Sequence, residues 1–180
     1  MAELRDIAQL GDPILRQTAQ PIYHVQEEWV QRLSEDLLAT LVHANAVGIA
    51  APQVGLLYRL LIVASRPNPR YPTAPEMAPI VMINPHLISH SDEIVDDWEG
   101  CLSIPGLRGL VPRYREIEVE FTSPDAKLQR MVMRDFVARV FQHEFDHLGG
   151  TVFLDRMNSL HDMMTDQEYL KRVVAHPAEM

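Results

Sequence analysis

Between Gln26 and Ala46, apolar side chains return every fourth position at Trp29, Leu33, Leu37 and Leu41, with charged residues between them. That spacing predicts an amphipathic helix with one face against a core. Pro13 and Pro21 interrupt the chain before it, so Leu10 to Val25 reads as a wrapping loop with one short turn. Leu57 to Ala64 and Pro79 to Ile83 are short runs rich in Leu, Ile and Val, separated by a segment holding Pro67, Pro69, Pro72 and Pro75. They predict two strands joined by a proline-stiffened loop. Ile117, Val119 and Phe121 alternate with Glu116, Glu118 and Glu120, the period of a strand buried on one face only. Ser123 to Lys127 then turns the chain into Leu128 to Met133, a predicted hairpin.

The run from about Phe136 to Leu148 returns to helical spacing, with Phe136, Val140 and Phe141 as its stripe and Gly149-Gly150 as its stop. A last helix is expected from Thr165 to Val174, with Thr165 or Asp166 near its N-cap and Pro177 beyond it. The pattern as a whole predicts an α+β protein: one compact domain over residues 1–180, with short, mostly antiparallel strands around a central helix and a further helix near each terminus.

Charge changes the picture of partners. Sixteen Lys and Arg against 25 Asp and Glu give a net charge of −9 without any basic cluster, which argues against DNA or another polyanion as the main partner. The acidic start Met1-Ala-Glu-Leu-Arg-Asp is unlike a signal peptide, and no apolar run has membrane length, so a soluble intracellular protein is expected. Asp92, Glu93, Asp96 and Asp97 read as a solvated acidic loop. Cys101 is the only cysteine, which leaves no intramolecular disulfide and a thiol free for other use.

The predicted central helix ends in His143-Glu144-Phe145-Asp146-His147. Its two imidazoles lie on one helical face, where they can share a divalent metal, with Glu144 beside it as proton carrier. A catalytic metal usually takes a third protein ligand and keeps a position for water. The histidine that would complete one peptidase motif falls on Phe153, whose ring cannot ligate. Two candidates remain: Glu168, as in a second class of metallopeptidase, and Cys101 in Glu99-Gly-Cys-Leu-Ser103. Asp146, by the helical wheel, points away from the metal.

Glu99-Gly-Cys-Leu-Ser103, Gln142-His-Glu-Phe-Asp-His-Leu148 and Val47-Gly-Ile-Ala-Ala-Pro-Gln53 together resemble the three signature motifs of the peptide deformylases, in order. The likeness continues through Ile104 to Arg113 and into Leu10-Gly-Asp-Pro-Ile-Leu-Arg16, and covers the chain to about Asp155. The resemblance implies a peptide deformylase-like catalytic domain that removes the formyl group from N-formylmethionine on newly made chains in the cytoplasm. It implies Fe²⁺ held by Cys101, His143 and His147, with Zn²⁺, Ni²⁺ or Co²⁺ able to substitute, Glu144 as acid and base, and Gln53 with the Leu102 N–H stabilising the formyl oxygen. Gly48 and Gly100 would admit the substrate backbone. Ile49, Phe136, Arg139 and Val140 would wall the methionine slot, and Arg108 or Arg113 would hydrogen-bond the peptide or pair with Glu99. A monomer making transient contact with the ribosome is expected. Basic residues after Asp155 do not outnumber acidic ones, so that contact would not use the basic terminal helix of some bacterial deformylases. The chain departs from the family at Ala46 and Asp135, where glycine is usual. Alanine at 46 would be strained if the glycine serves a positive φ, and Asp135 would serve as the N-cap of the metal helix.

Overall fold

The computed structural model describes residues 2–175. The predicted first helix is present as α1, Glu28–His43. Its buried stripe is Val30, Leu33, Leu37 and Leu41. Trp29 is rotated off that face and rests on Tyr58, with ring centroids 4.7 Å apart. A large ring at the first turn is accommodated at the rim, whereas the smaller Val30 fits the core.

A five-stranded antiparallel sheet forms from β1 (Gly48–Ala50), β2 (Leu60–Ser65), β3 (Met77–His90), β6 (Glu116–Thr122) and β7 (Leu128–Arg134), in the order β1-β2-β3-β6-β7. Every residue of β2 is buried. Leu60 and Ile62 face α1 and its cluster, while Leu61 and Val63 face the opposite core, so the strand is covered on both sides. The predicted β6–β7 hairpin is closed with Thr122 opposite Leu128. β3 is far longer than the run Pro79 to Ile83, because it continues through Pro85 with a register shift between Ile83 and His86. At that shift Asn84 adopts φ 49° and its side chain clasps Ile22, accepting from the backbone N–H at 2.8 Å and donating to the carbonyl at 2.7 Å.

The second sheet, in the order β4-β5-β8, comprises β4 (Ile94–Cys101), β5 (Ile104–Tyr114) and β8 (Met163–Thr165). It corrects half of the reading of the acidic run as a loop: Asp92 and Glu93 lie between β3 and β4, but Asp96 and Asp97 belong to β4. Ile94 to Asp97 are paired to β5 through the backbone while their side chains stay exposed. Backbone pairing with a neighbour, not an apolar pattern, makes this strand. Between the sheets lies α2, Asp135–Leu148, whose Val140, Phe141 and Leu148 enter the core beneath the large sheet. Asp135 is its first residue, with φ 51°, and Arg134 holds the cap position, so Asp135 does not act as the N-cap. Ala46 has no positive φ, so its methyl group is not strained by the backbone. The C-terminal helix begins at its predicted cap, Thr165, as α3 (Asp166–Tyr169) and continues into a π-helical turn, Leu170–Val174. Pro177 lies outside the described residues. Among the described residues, no helix is long and apolar enough to cross a membrane.

Candidate active site

The helical period of α2 puts His143 and His147 on the face turned toward the second sheet. Opposite them, β4 ends at Cys101, where the pairing with β5 shifts register after Glu99. That irregularity re-aims the thiol at the helix. Cys101 Sγ lies 3.3 Å from His147 Nε2, and the Cys101, His143 and His147 donor atoms all fall within 4.8 Å of one another.

Glu99 fixes the orientation of this cluster. Its carboxylate is buried and accepts a fork from Arg113, at 2.9 and 3.0 Å, and a bond from Arg139 at 3.0 Å. Its Oε2 lies 2.8 Å from His143 Nδ1. Holding that nitrogen leaves His143 Nε2 for the cluster, the usual way an outer carboxylate orients a ligating imidazole. Burial alone would raise the Glu99 carboxyl, but the Arg113 charge and the bonds from His143 and Arg113 hold it well below the usual range. Arg113 also donates to Asp146 at 2.6 Å, and Arg156 closes on Asp146 at 2.7 Å. Asp146 is thus tied to two guanidinium groups and is not part of the Cys101, His143 and His147 donor cluster.

Burial would also raise the Cys101 thiol, yet the charges of His147 and His143 hold it well below its ordinary value. Conversely, burial would lower His143, and Cys101 and Glu99 push it up. One sulfur and two ring nitrogens within reach of one another are the donor set of a borderline divalent ion, which would take the thiol as thiolate and the imidazoles as neutral rings.

Glu144 is buried, and its Oε2 has no hydrogen-bond partner among the described residues. Burial lifts its carboxyl to about 7, against the opposing charges of His143 and His147. A Cβ on Gly48 would overlap that carboxylate, so this glycine is required by space. Gln53 is held at its carbonyl end by the Ala50 N–H at 2.9 Å, which directs Nε2 toward Cys101 Sγ at 3.4 Å and Ser103 Oγ at 3.3 Å. Leu102 sits in the turn between β4 and β5. The chain entering the Leu10-to-Arg16 motif ties these pieces together: Ala8 N–H, just before it, donates to Gln53 O and Leu10 N–H to Ser103 O, each at 2.8 Å.

One cavity takes in Gly48, Gln53, Gly100, Cys101, Leu102, Arg108, Phe136, Arg139, Val140, His143 and Glu144, and Ala46 is on its wall. One expectation needs correction. The Ile49 side chain is in the core behind β1 with the α1 cluster and does not line the cavity, because alternation along the strand turns it away. Arg139 borders the cavity, but its guanidinium is committed to Glu99 and to the carbonyls of Val111 at 2.7 Å and Val95 at 2.5 Å. Its charge serves the Glu99 scaffold while the residue remains on the cavity wall. Glu168 is on α3, bonded to Arg172 at the surface, and is not part of the Cys/His/His cluster. Glu99, Ser103, Tyr71 and Asp166 were missed as site residues. Glu99 carried a signal, being a carboxylate inside the Cys101 motif, whereas no local pattern marks Tyr71 or Asp166.

Comparison with known proteins gives a consistent result. The family profile described as polypeptide deformylase matches residues 4–163. A peptide deformylase 2 of Nostoc sp. is 57% identical over 171 residues, spanning 95% of this chain and 96% of its own. Among solved structures, the Met-Ala-Ser-bound class I type b peptide deformylase from Acinetobacter baumannii superposes with a TM-score of 0.85 at 42% identity, covering 87% of this chain and all of that one. The peptide deformylase from Thermotoga maritima matches with a TM-score of 0.78 at 31% identity, covering 87% of this chain and 99% of that one.

Proposed function

The chain belongs to the peptide deformylase family, metal-dependent enzymes that remove the formyl group from the amino terminus of newly made polypeptides; on that premise we propose that Cys101, His143 and His147 hold the metal as Fe²⁺, with Zn²⁺, Ni²⁺ or Co²⁺ able to replace it. The observation that carries this reading is the convergence of one thiol and two imidazoles beside a buried Glu144 carboxylate oxygen that has no partner among the described residues. Bound there, the ion supplies Lewis acidity that lowers the pKa of the attacking water toward neutrality.

The rest of the chemistry falls to side chains already in place. Glu144 takes up the proton of the attacking water and delivers it to the leaving amide nitrogen as formate departs. Its burial supports the role, because an acid lifted to about 7 can both accept and release a proton near neutral pH. Gln53 Nε2 and the Leu102 N–H donate to the formyl oxygen as negative charge builds on it, an interaction worth about 3 kcal/mol in the barrier for one such donor. Gly48 and Gly100 line the same cavity and make room there for the Glu144 and Arg108 side chains, and Phe136 and Val140 form apolar wall for the methionine. Met-Ala-Ser in the A. baumannii relative supports methionine as the first residue bound.

We read the protein as a cytoplasmic monomer that meets nascent chains in transient contact with the ribosome. Its acidic balance supports a contact that does not depend on a basic terminal helix. The test is formate release from formyl-Met-Ala-Ser by the Fe²⁺-loaded protein without oxygen. Steady turnover is expected, and a fully metal-loaded protein that releases no formate would overturn the reading.

A further inference from the structure

The family profile stops at residue 163, yet the chain that follows it returns to the cavity. β8 pairs with β5, Arg108 opposite Met164 and Leu107 opposite Thr165. This pairing starts α3 beside the Arg108 side chain. Asp166 accepts from Arg108 Nε at 2.6 Å, and the Tyr71 hydroxyl lies 2.6 Å from Nη1. The guanidinium also lies within cation–π reach of two rings, 5.3 Å from the Tyr71 centroid and 5.1 Å from that of Tyr169. Gly100 completes the socket, since a Cβ there would lie 2.5 Å from Arg108 Cζ. Arg108 is only 2% exposed, and its Nη2 has no protein partner among the described residues.

The same segment also fixes the proline loop. Tyr169 Oη donates to the Arg70 carbonyl at 3.0 Å, and Tyr71 packs on Phe136 with centroids 5.0 Å apart. Trp98, whose buried Nε1 has no partner among the described residues, lies on the same wall at 6.1 Å from the Tyr169 ring. Arg70, Tyr71, Arg108 and Asp166 thus form a continuous side of the cavity that contains Cys101 and Glu144.

We propose that the C-terminal segment from Met163 to Val174 is a working wall of the peptide cleft, in which Asp166 and Tyr169 are positioning residues that hold Arg108 and the Arg70–Tyr71 loop for the part of the peptide beyond methionine. The inference rests on the deformylase reading of the site and adds the residues that distinguish long substrates from short ones. Asp166 fixes Nε and Tyr71 fixes Nη1, so the remaining nitrogen is directed at a carbonyl of the passing peptide chain. A substrate that ends at methionine has no carbonyl beyond the methionine's own to meet it.

The test is the peptide-length dependence of KM, from formyl-Met amide to formyl-Met-Ala-Ser, for the wild-type, Asp166→Ala and Tyr169→Phe proteins. Each substitution is expected to reduce the preference for the longer peptide about 3- to 10-fold, the loss of one well-placed hydrogen bond, through KM and not kcat. Tyr169→Phe retains the ring and the packing, so it carries the test should Asp166→Ala fold poorly. An unchanged length preference in a folded variant would overturn the inference while leaving the deformylase reading intact. A wild-type protein that cleaves neither substrate would overturn both.

Discussion

In the five-stranded sheet, Leu60 to Ala64 of β2 are apolar on both faces and pack between α1 and α2 against aliphatic and aromatic side chains. The three-stranded sheet, by contrast, buries Glu99, Arg108 and Arg113, and its end supplies Cys101. The first arrangement is non-directional and tolerates exchange of similar volumes, so it gives stability without aiming any group. The second is directional: the fork from Arg113 to Glu99 and the bond from Glu99 to His143 hold a carboxylate and an imidazole in one relative orientation. α2 joins the two, with Phe141 and Leu148 facing the apolar core and His143 and His147 facing the charges. The lesson is that this fold separates the residues that keep it folded from those that keep its site in register.

That separation can be broken experimentally. The largest effect is expected at Glu144. Glu144→Ala should lose roughly 10² to 10⁴-fold in kcat while retaining metal, as measured by formate release and metal analysis on one preparation. Retained turnover would remove Glu144 from the chemistry. Next come paired substitutions, one in each sheet. Arg113→Ala leaves the Glu99 and Asp146 carboxylates buried without that partner, so it should cost about 3–5 kcal/mol of stability. It should also weaken metal affinity about 10- to 100-fold by loosening Glu99. Leu61→Ala should cost about 2–5 kcal/mol in denaturant unfolding yet leave metal affinity unchanged. If both substitutions weakened the metal equally, the division between the two sheets would not hold.

The smallest effect concerns an ion pair far from the site. Asp36 on α1 is buried and accepts from Glu3 N–H at 2.7 Å and Arg5 Nε at 2.9 Å. Burial would raise its pKa, but these bonds and the Arg5 charge hold it below the ordinary 3.8. A depressed acid stabilises above its unfolded pKa and loses that contribution as pH falls through the folded value. Asp36→Asn should therefore cost about 1–3 kcal/mol near neutral pH, with the difference from wild type shrinking below about pH 4. A difference that stayed constant from pH 7 to pH 3 would show that charge plays no part.

The same division governs what could be read from the chain. α1, the β6–β7 hairpin and α2 were legible because their burial follows a simple period, as at Leu33, Leu37 and Leu41 or at Ile117, Val119 and Phe121. β4 was not, because Ile94 to Asp97 are strand by backbone pairing with β5 while their side chains remain in solvent. The Cys/His/His cluster was visible through its motifs, which place residues 101, 143 and 147 by resemblance before any geometry. The Arg108 socket was not, since Tyr71 and Asp166 reach it only through long-range packing of the proline loop and the C-terminal segment. Ile49 shows the limit within a motif: family likeness marked the residue, but the alternation of β1 decides which way its side chain points.

The central claim is that Cys101, and not Glu168, completes the metal site with the two histidines. Metal content per chain of the wild-type, Cys101→Ala and Glu168→Ala proteins, purified side by side without oxygen, tests it most directly. About one ion is expected in wild type and in Glu168→Ala, as for a site of three protein ligands, and little or none in Cys101→Ala. A Cys101→Ala protein that keeps its ion while Glu168→Ala loses it would contradict the account.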